Sequence, residues 1–553
     1  MNISEREPLL TVDSLTLEYR SQRGSTEIVR DVSFSLKRGE ILGVIGESGA
    51  GKTSIGNAII GLLEKGFRQA NGAIDFASRR SPDIEGQIDK AKVAGRISAI
   101  FQDHTASLDP LMRIGKQVEE TVRAAHRNNT REFARQRAHD LLRRVGIPDP
   151  ERRYRHYPHQ FSGGQRQRIV IAIALASFPD IIVADEPTSA LDATVQKQIL
   201  GLLRRLVDET GVAVILVTHD MGVVSEIADR VLVMRHGQMI EQGPTATVLE
   251  QPEADYTRSL LAAVPRLQIH SPAVAAQLGT KCSRIPTGEE ALLATRSLSK
   301  SYSSSGLLWR RRPHESQFEL SGIDLQVRRG EIIGLVGQSG SGKSTIGRIM
   351  AGLDRATGGS VLVDGKGYDV TSSSGQRGLL GKVQMIFQDP AASLNPRLTI
   401  AQTLGEAVHY GLGARPSDPG RIAAQMIDRL GLPTGLLSRY PHQLSGGQKQ
   451  RACIGRALLA RPKAIVADEP TSALDVSVQA EIIKLLKTIV DEEQVAMVFI
   501  SHDLAVVQSL CSTVHILNSG RIVDSGPADR IFSRSDNAYT RALLDARPAR
   551  FTH

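Results

Sequence analysis

The chain has 553 residues, of which 41% are hydrophobic, 23% charged and 4% aromatic. That is an ordinary globular composition, and it excludes wholesale disorder and fibrous repeats. The net charge of +9 is spread over a large surface, so it allows an anionic partner without requiring one. At about 100–200 residues per domain, two to four domains are expected. No run of 18 apolar residues occurs, and the N-terminal MNISEREPLLTVD is polar and acidic. Neither a membrane-spanning helix nor a secretory signal is therefore expected, and residence in the cytoplasm is. Cys282, Cys453 and Cys511 are too far apart for a disulfide framework or a metal cluster, and read as incidental or buried thiols.

The chain is a duplication. GESGAGKTSIG at Gly46–Gly56 returns as GQSGSGKSTIG at Gly337–Gly347, and IFQD at Ile100–Asp103 returns at Ile386–Asp389. HYPHQFSGGQRQR at His156–Arg168 pairs with RYPHQLSGGQKQR at Arg439–Arg451. ADEPTSALD stands unchanged at Ala184–Asp192 and Ala467–Asp475. THD at Thr218–Asp220 answers SHD at Ser501–Asp503, and YTRSLL at Tyr256–Leu261 answers YTRALL at Tyr539–Leu544. Self-similarity in one fixed order means two copies of one domain. Their boundaries are expected at 1–265 and 291–553, with 266–290 as an aperiodic linker. The spacing differs only between motifs, as loops allow. Tyr19 and Tyr302 are 283 apart and Lys52 and Lys343 are 291 apart, which places an insertion around LLWRRRP at Leu307–Pro313. That insertion reads as a solvated loop, with membrane-surface contact as the alternative.

In chain order, Tyr19 and Tyr302 come first, either as core tyrosines or as platforms for an adenine ring. EILGVIG at Glu40–Gly46 and EIIGLVG at Glu331–Gly337 are short apolar runs and predict buried parallel strands. Each leads into GxxxxGK[ST] and a helix, the context a phosphate-binding loop needs. The loop residues are Gly46, Glu47, Ser48, Gly49, Ala50, Gly51, Lys52, Thr53 and Ser54. In the second half they are Gly337, Gln338, Ser339, Gly340, Ser341, Gly342, Lys343, Ser344 and Thr345. Lys52 and Lys343 are expected on the β- and γ-phosphates, and Thr53 and Ser344 on Mg²⁺.

Gln102 and Gln388 follow short strands, and as neutral amides they suit a metal ion or a water. IIVADE at Ile181–Glu186 and AIVADE at Ala464–Glu469 are strands that end in two carboxylates. Asp185 and Asp468 are expected at the metal. Glu186 and Glu469 are expected to polarise the attacking water. His219 and His502 follow the next apolar strands and recur in register, which points to a γ-phosphate contact.

The ordered set of GxxxxGK[ST], Gln, SGGQ, ADEPTSALD and His resembles the nucleotide-binding subunit of ATP-binding-cassette transporters. The resemblance covers nearly the whole chain outside the linker. It implies an α/β fold of two tandem P-loop domains, each with a RecA-like core, a small antiparallel β subdomain and an α-helical signature subdomain. The helical parts would lie near 106–161 and 391–444. In this family the signature acts on the nucleotide of the opposite domain. Ser162, Gly163, Gly164 and Gln165 would then serve the second loop, and Ser445, Gly446, Gly447 and Gln448 the first, with Asp192 and Asp475 between the sites. Both glutamates and both histidines are present, so two hydrolysis-competent sites paired within one chain are expected, using ATP and Mg²⁺.

QDHTASLDPL, QDPAASLNPR, YPHQ and YTR[SA]LL look like the peptide-importer branch of the family. That resemblance implies an energy subunit at the cytoplasmic face of the inner membrane. It would work with two permease subunits and an extracytoplasmic binding protein. Dipeptides or oligopeptides are the expected cargo, with nickel chelates or glutathione as alternatives. Some relatives carry a cysteine cluster that holds iron and sulfur; Cys282 stands alone, so no such cluster is expected. A soluble cassette ATPase acting on nucleic acid or ribosomes is the rival class. The short mixed linker, the two histidines and the lack of CxxC pairs count against it.

Overall fold

The structure is a computed structural model that describes residues 7–21, 24–76, 96–125, 130–189, 191–265, 267, 291–302, 319–412, 418–472 and 474–546. Cys282, the loop Leu307–Pro313 and all of the expected linker except Leu267 lie outside them. The chain divides into two compact units, one running to Val264 and the other starting at Pro265. Leu267 is fully buried in an apolar cluster of the second unit.

The first unit is built on a six-stranded sheet. In chain order its strands are β3 (Ile41–Gly46), β5 (Ile97–Ile100), β6 (Ile181–Asp185), β7 (Ala213–Val217), β8 (Arg230–Arg235) and β9 (Gln238–Pro244). Their order across the sheet is β5-β6-β7-β3-β8-β9, parallel throughout except for β9 at the edge. β3 and β7 are buried at every position, as expected of strands covered on both faces. Alternation along β6 sends Ile182 and Ala184 to one layer and Ile181 and Val183 to the other.

The layer holding Ile181 contains the loop helix Lys52–Ile59 and a three-stranded antiparallel sheet. That sheet is formed by β1 (Pro8–Ser21), β2 (Gly24–Lys37) and β4 (Phe67–Phe76), in the order β2-β1-β4. The opposite layer is helical, with Ile114–Ala125, Arg131–Arg144 and the signature helix Gly163–Leu175. Within it, the Tyr154 hydroxyl donates to buried Glu119, whose other oxygen pairs with Lys116 at 2.6 Å.

The second unit repeats this plan. Its large sheet has the order β15-β16-β17-β12-β18-β19, made of β12 (Ile332–Val336), β15 (Val383–Ile386), β16 (Ala464–Asp468), β17 (Ala496–Ile500), β18 (Thr513–Asn518) and β19 (Arg521–Pro527). The antiparallel sheet gains a strand, with β10 (Leu293–Ser301), β11 (Glu319–Val327), β13 (Gly358–Val363) and β14 (Lys366–Asp369) in the order β11-β10-β13-β14. Helices Ile400–Leu412, Pro419–Arg429 and Gly446–Leu459 make its helical layer. Among the described residues no helix is long and apolar enough to cross a membrane.

Candidate ATP site

Each phosphate-type loop joins a central strand to a helix N-terminus, between β3 and Lys52–Ile59 and between β12 and Lys343–Met350. Gly51 and Gly342 cap these helices with φ of 92° and 106°, a left-handed geometry that a side chain would strain. Lys52 is buried, and its Nζ donates to the carbonyls of Gly46 and Glu47, both at 2.8 Å. Lys343 does the same with Gly337 at 2.7 Å and Gln338 at 2.9 Å. The ammonium is thus already folded over the loop. Ser48, Gly49, Ser339 and Gly340 form its exposed crest. Ala50 and Ser341 turn inward and are buried, and their N–H groups donate to Glu47 and Gln338 within the loop. Ser54 and Thr345 are half-buried in the first turn.

Behind each lysine stand the two carboxylates. The Ser344 hydroxyl donates to Asp468 at 3.1 Å, and Thr53 stands beside Asp185 and lowers its carboxyl. Burial pushes both aspartates above the usual carboxylate range, and the neighbouring glutamates add to it. A hydroxyl beside a carboxylate of raised pKa, two hard oxygen ligands, fits a divalent cation such as Mg²⁺, whose charge would relieve that cost.

Glu186 and Glu469 leave their strands in the left-handed region, with φ of 46° and 45°. Their N–H groups donate to the ends of the neighbouring strands, Val217 at 2.8 Å and Ile500 at 2.9 Å. That bend explains how adjacent residues of a strand both enter one site. A non-glycine residue held there is strained, and the cross-strand hydrogen bond holds it in place. The sequence pattern carries no signal of this conformation.

The remaining polar residues converge on the glutamates. Gln102 Nε2 donates to Glu186 Oε2 at 2.9 Å, and His219 Nδ1 lies 2.6 Å from Oε1. The matching distances in the second unit are 2.8 Å for Gln388 and 3.1 Å for His502, both to Glu469. Each glutamine, expected at a metal ion or a water, thus hydrogen-bonds the glutamate in this structure. Burial raises both glutamates, but the histidine hydrogen bond, its charge and the loop lysine outweigh it, so both lie below the usual range. Burial lowers His502, yet Glu469 and Asp503 leave it raised overall.

Asp220 and Asp503, to which the motif reading gave no role, cap the helices Met221–Ile227 and Leu504–Leu510. Each accepts from two backbone N–H groups, and Thr218 and Ser501 complete the turn that aims the histidine.

The signature motifs open their helices with a reciprocal capping box. Gln165 N–H donates to Ser162 Oγ at 3.3 Å, and Ser162 N–H donates back to Gln165 Oε1 at 3.3 Å. Ser445 and Gln448 repeat it at 3.1 and 3.3 Å. A Cβ on Gly164 would lie 2.4 Å from Val195 Cγ1, and one on Gly447 would lie 2.5 Å from Val478 Cγ1. Those glycines are needed for close packing on the helices Ala193–Thr210 and Val476–Glu493. Gly163 has room, its nearest neighbour being 3.6 Å from a Cβ, and Gly446 is exposed. Asp192 caps Ala193–Thr210 by accepting from Val195 N–H at 3.0 Å, whereas Asp475 makes no side-chain cap bond. Tyr19 and Tyr302 are 39% and 45% exposed, which removes the core reading for both. Tyr19 packs on Phe67 at 5.1 Å, and Lys300 lies over Tyr302 at 4.7 Å.

Comparison with known proteins gives the family. The family model described as ABC transporter matches residues 29–189 and 320–472. A second, for the C-terminal region of oligopeptide/dipeptide transporters, matches residues 240–288, at the end of the first half. The glutathione import ATP-binding protein GsiA of Shigella dysenteriae is 40% identical over 98% of this chain and 89% of its own length. The GsiA of Escherichia coli K12 matches equally well. A solved ATP-binding cassette dimer bound to ADP and Pi is 27% identical, with a TM-score of 0.38, over 43% of this chain and 98% of that one. With two cassette matches in register and relatives aligned over nearly its full length, the chain belongs to the ATP-binding subunits of ABC transporters, and it is an ATPase with two cassettes in one polypeptide.

Proposed function

We propose that the chain is the energy-coupling subunit of an importer for short peptides, with glutathione the first substrate to test. The carrying observation is the joint match to GsiA over 98% of the chain and to the oligopeptide/dipeptide transporter region at 240–288. In this reading the partners are two membrane permeases and an extracytoplasmic binding protein, and the subunit works at the cytoplasmic face of the membrane.

Within each half, the loop N–H groups and the helix N-terminus receive the phosphates, and the lysine already folded over the loop adds a fixed positive charge. Bound Mg²⁺ would neutralise charge on the phosphate oxygens, held by Thr53 with Asp185 and by Ser344 with Asp468. Water attacks the γ-phosphorus in line, the bond to the bridging oxygen breaks, and Glu186 or Glu469 takes the water proton. A carboxylate below its usual range is a weak base. Its first task is therefore to orient the water, and its basicity rises as the glutamine or histidine bond lengthens. The pairing of the halves around shared nucleotides, implied by the motifs, is part of this proposal.

Reconstitution in liposomes with the permeases and binding protein tests it. Glutathione or a dipeptide should raise ATP turnover several-fold and be taken up; turnover indifferent to every peptide and to glutathione would refute the importer reading.

A further inference from the structure

The YTR[SA]LL repeats take no part in the chemistry above. In the second unit this motif lies in the helix Ala538–Asp545. The Tyr539 hydroxyl accepts a hydrogen bond from Gln338 N–H at 3.4 Å. That N–H belongs to the Gly337–Gln338 peptide, whose carbonyl holds Lys343 Nζ at 2.7 Å. One peptide unit therefore carries the tyrosine at one end and the loop lysine at the other.

The helix is anchored on the sheet that carries the loop. Thr540 is buried, and its hydroxyl donates to Asp524 on β19 at 2.9 Å. Asn537 caps the helix, and its amide donates to Val523 at 2.9 Å. β19 pairs with β18, and the Leu517 carbonyl of β18 would stand 2.2 Å from a Cβ on Gly337. Strand, helix and loop are thus in successive contact.

The anchor recurs in the first unit. Glu241 on β9 accepts from the N–H groups of Glu253 and Ala254, and Thr257 of the same motif is buried, while Arg235 at the end of β8 lies 4.6 Å over the Tyr256 ring. Residues 240–288, which match the C-terminal region model, begin at this anchor.

We propose that Tyr539 is a positioning residue of the second phosphate loop. The C-terminal helix fixes the tilt of the Gly337–Gln338 peptide and, through it, the resting place of Lys343. This rests on reading Gly337–Ser344 as a phosphate site.

The test is equilibrium titration of the full chain with a fluorescent ATP analogue, in a K52A background so that the second loop is read alone. Y539F removes the hydroxyl and keeps the ring. It should raise Kd about 3-fold, as loss of one modest hydrogen bond does, with Tm unchanged without nucleotide. T540V, which loosens the anchor, should move Kd in the same direction, while R541A on the exposed face of the helix should not. An unchanged Kd for folded Y539F overturns the proposal, as does a fall in Tm with no change in Kd, which would leave the helix a packing role only. The K52A/K343A double variant separates the two levels. If it still binds the analogue, the loop assignment itself has failed; if it loses binding while Y539F does not shift, only the tyrosine proposal has.

Discussion

His219 Nδ1 stands 2.6 Å from Glu186 Oε1, and the pair His502–Glu469 repeats the contact at 3.1 Å. In the second pair the glutamate is lowered from 4.5 and the histidine raised from 6.5. A lowered carboxylate stabilises the fold above its ordinary pKa and loses that contribution as pH falls through its folded value. A raised histidine stabilises below its ordinary pKa and loses the contribution as pH rises through its folded value. The two overlap fully between pH 4.5 and 6.5. The Tm difference between wild type and H502A should therefore be largest in that window and shrink on both sides. A difference that grows steadily toward alkaline pH would contradict the ion pair.

The two glycines of the first signature should part company. G164A forces a methyl group against Val195 and should cost about 1–3 kcal/mol, visible as a lower Tm. G163A has room and should leave Tm unchanged. In the proposed pairing of the halves Gly163 belongs to the motif that serves the second loop, so G163A should still depress ATPase. Equal Tm losses for both variants would remove the packing account, and unchanged ATPase in G163A would remove the nucleotide one.

Asp192 and Asp475 occupy identical motifs but differ locally. D192A loses a cap bond to Val195 N–H and should cost about 1 kcal/mol of stability. Thermal unfolding of D192A against wild type measures this, and an unchanged Tm would show that the cap bond does not contribute.

Much of this was legible in the motifs. The apolar runs before Gly46 and Gly337 are the central strands, and GxxxxGK[ST] does join strand to helix in both halves. Period and punctuation are local signals, and those elements obey them. What was not legible depends on neighbours far along the chain. The bend at Glu186 is held by Val217, and the demand for glycine at 164 comes from Val195. The partner of the Gln102 amide is Glu186, 84 positions further on. Tyr19 and Tyr302 read equally as core residues or as adenine platforms because one aromatic residue carries no periodicity; their exposure removes the core reading. The pairing of Tyr539 with Gln338, 201 positions apart, left no trace in either motif alone.

The central claim is that both halves hydrolyse ATP through a glutamate held by histidine and glutamine. Steady-state ATP turnover of E186Q, E469Q and the double variant tests it most directly. The account predicts losses of similar size for the two single variants and a fall on the order of 10²–10⁴-fold for the double, the usual range for losing a general base. Full turnover in E186Q with none in E469Q, or the reverse, would contradict it.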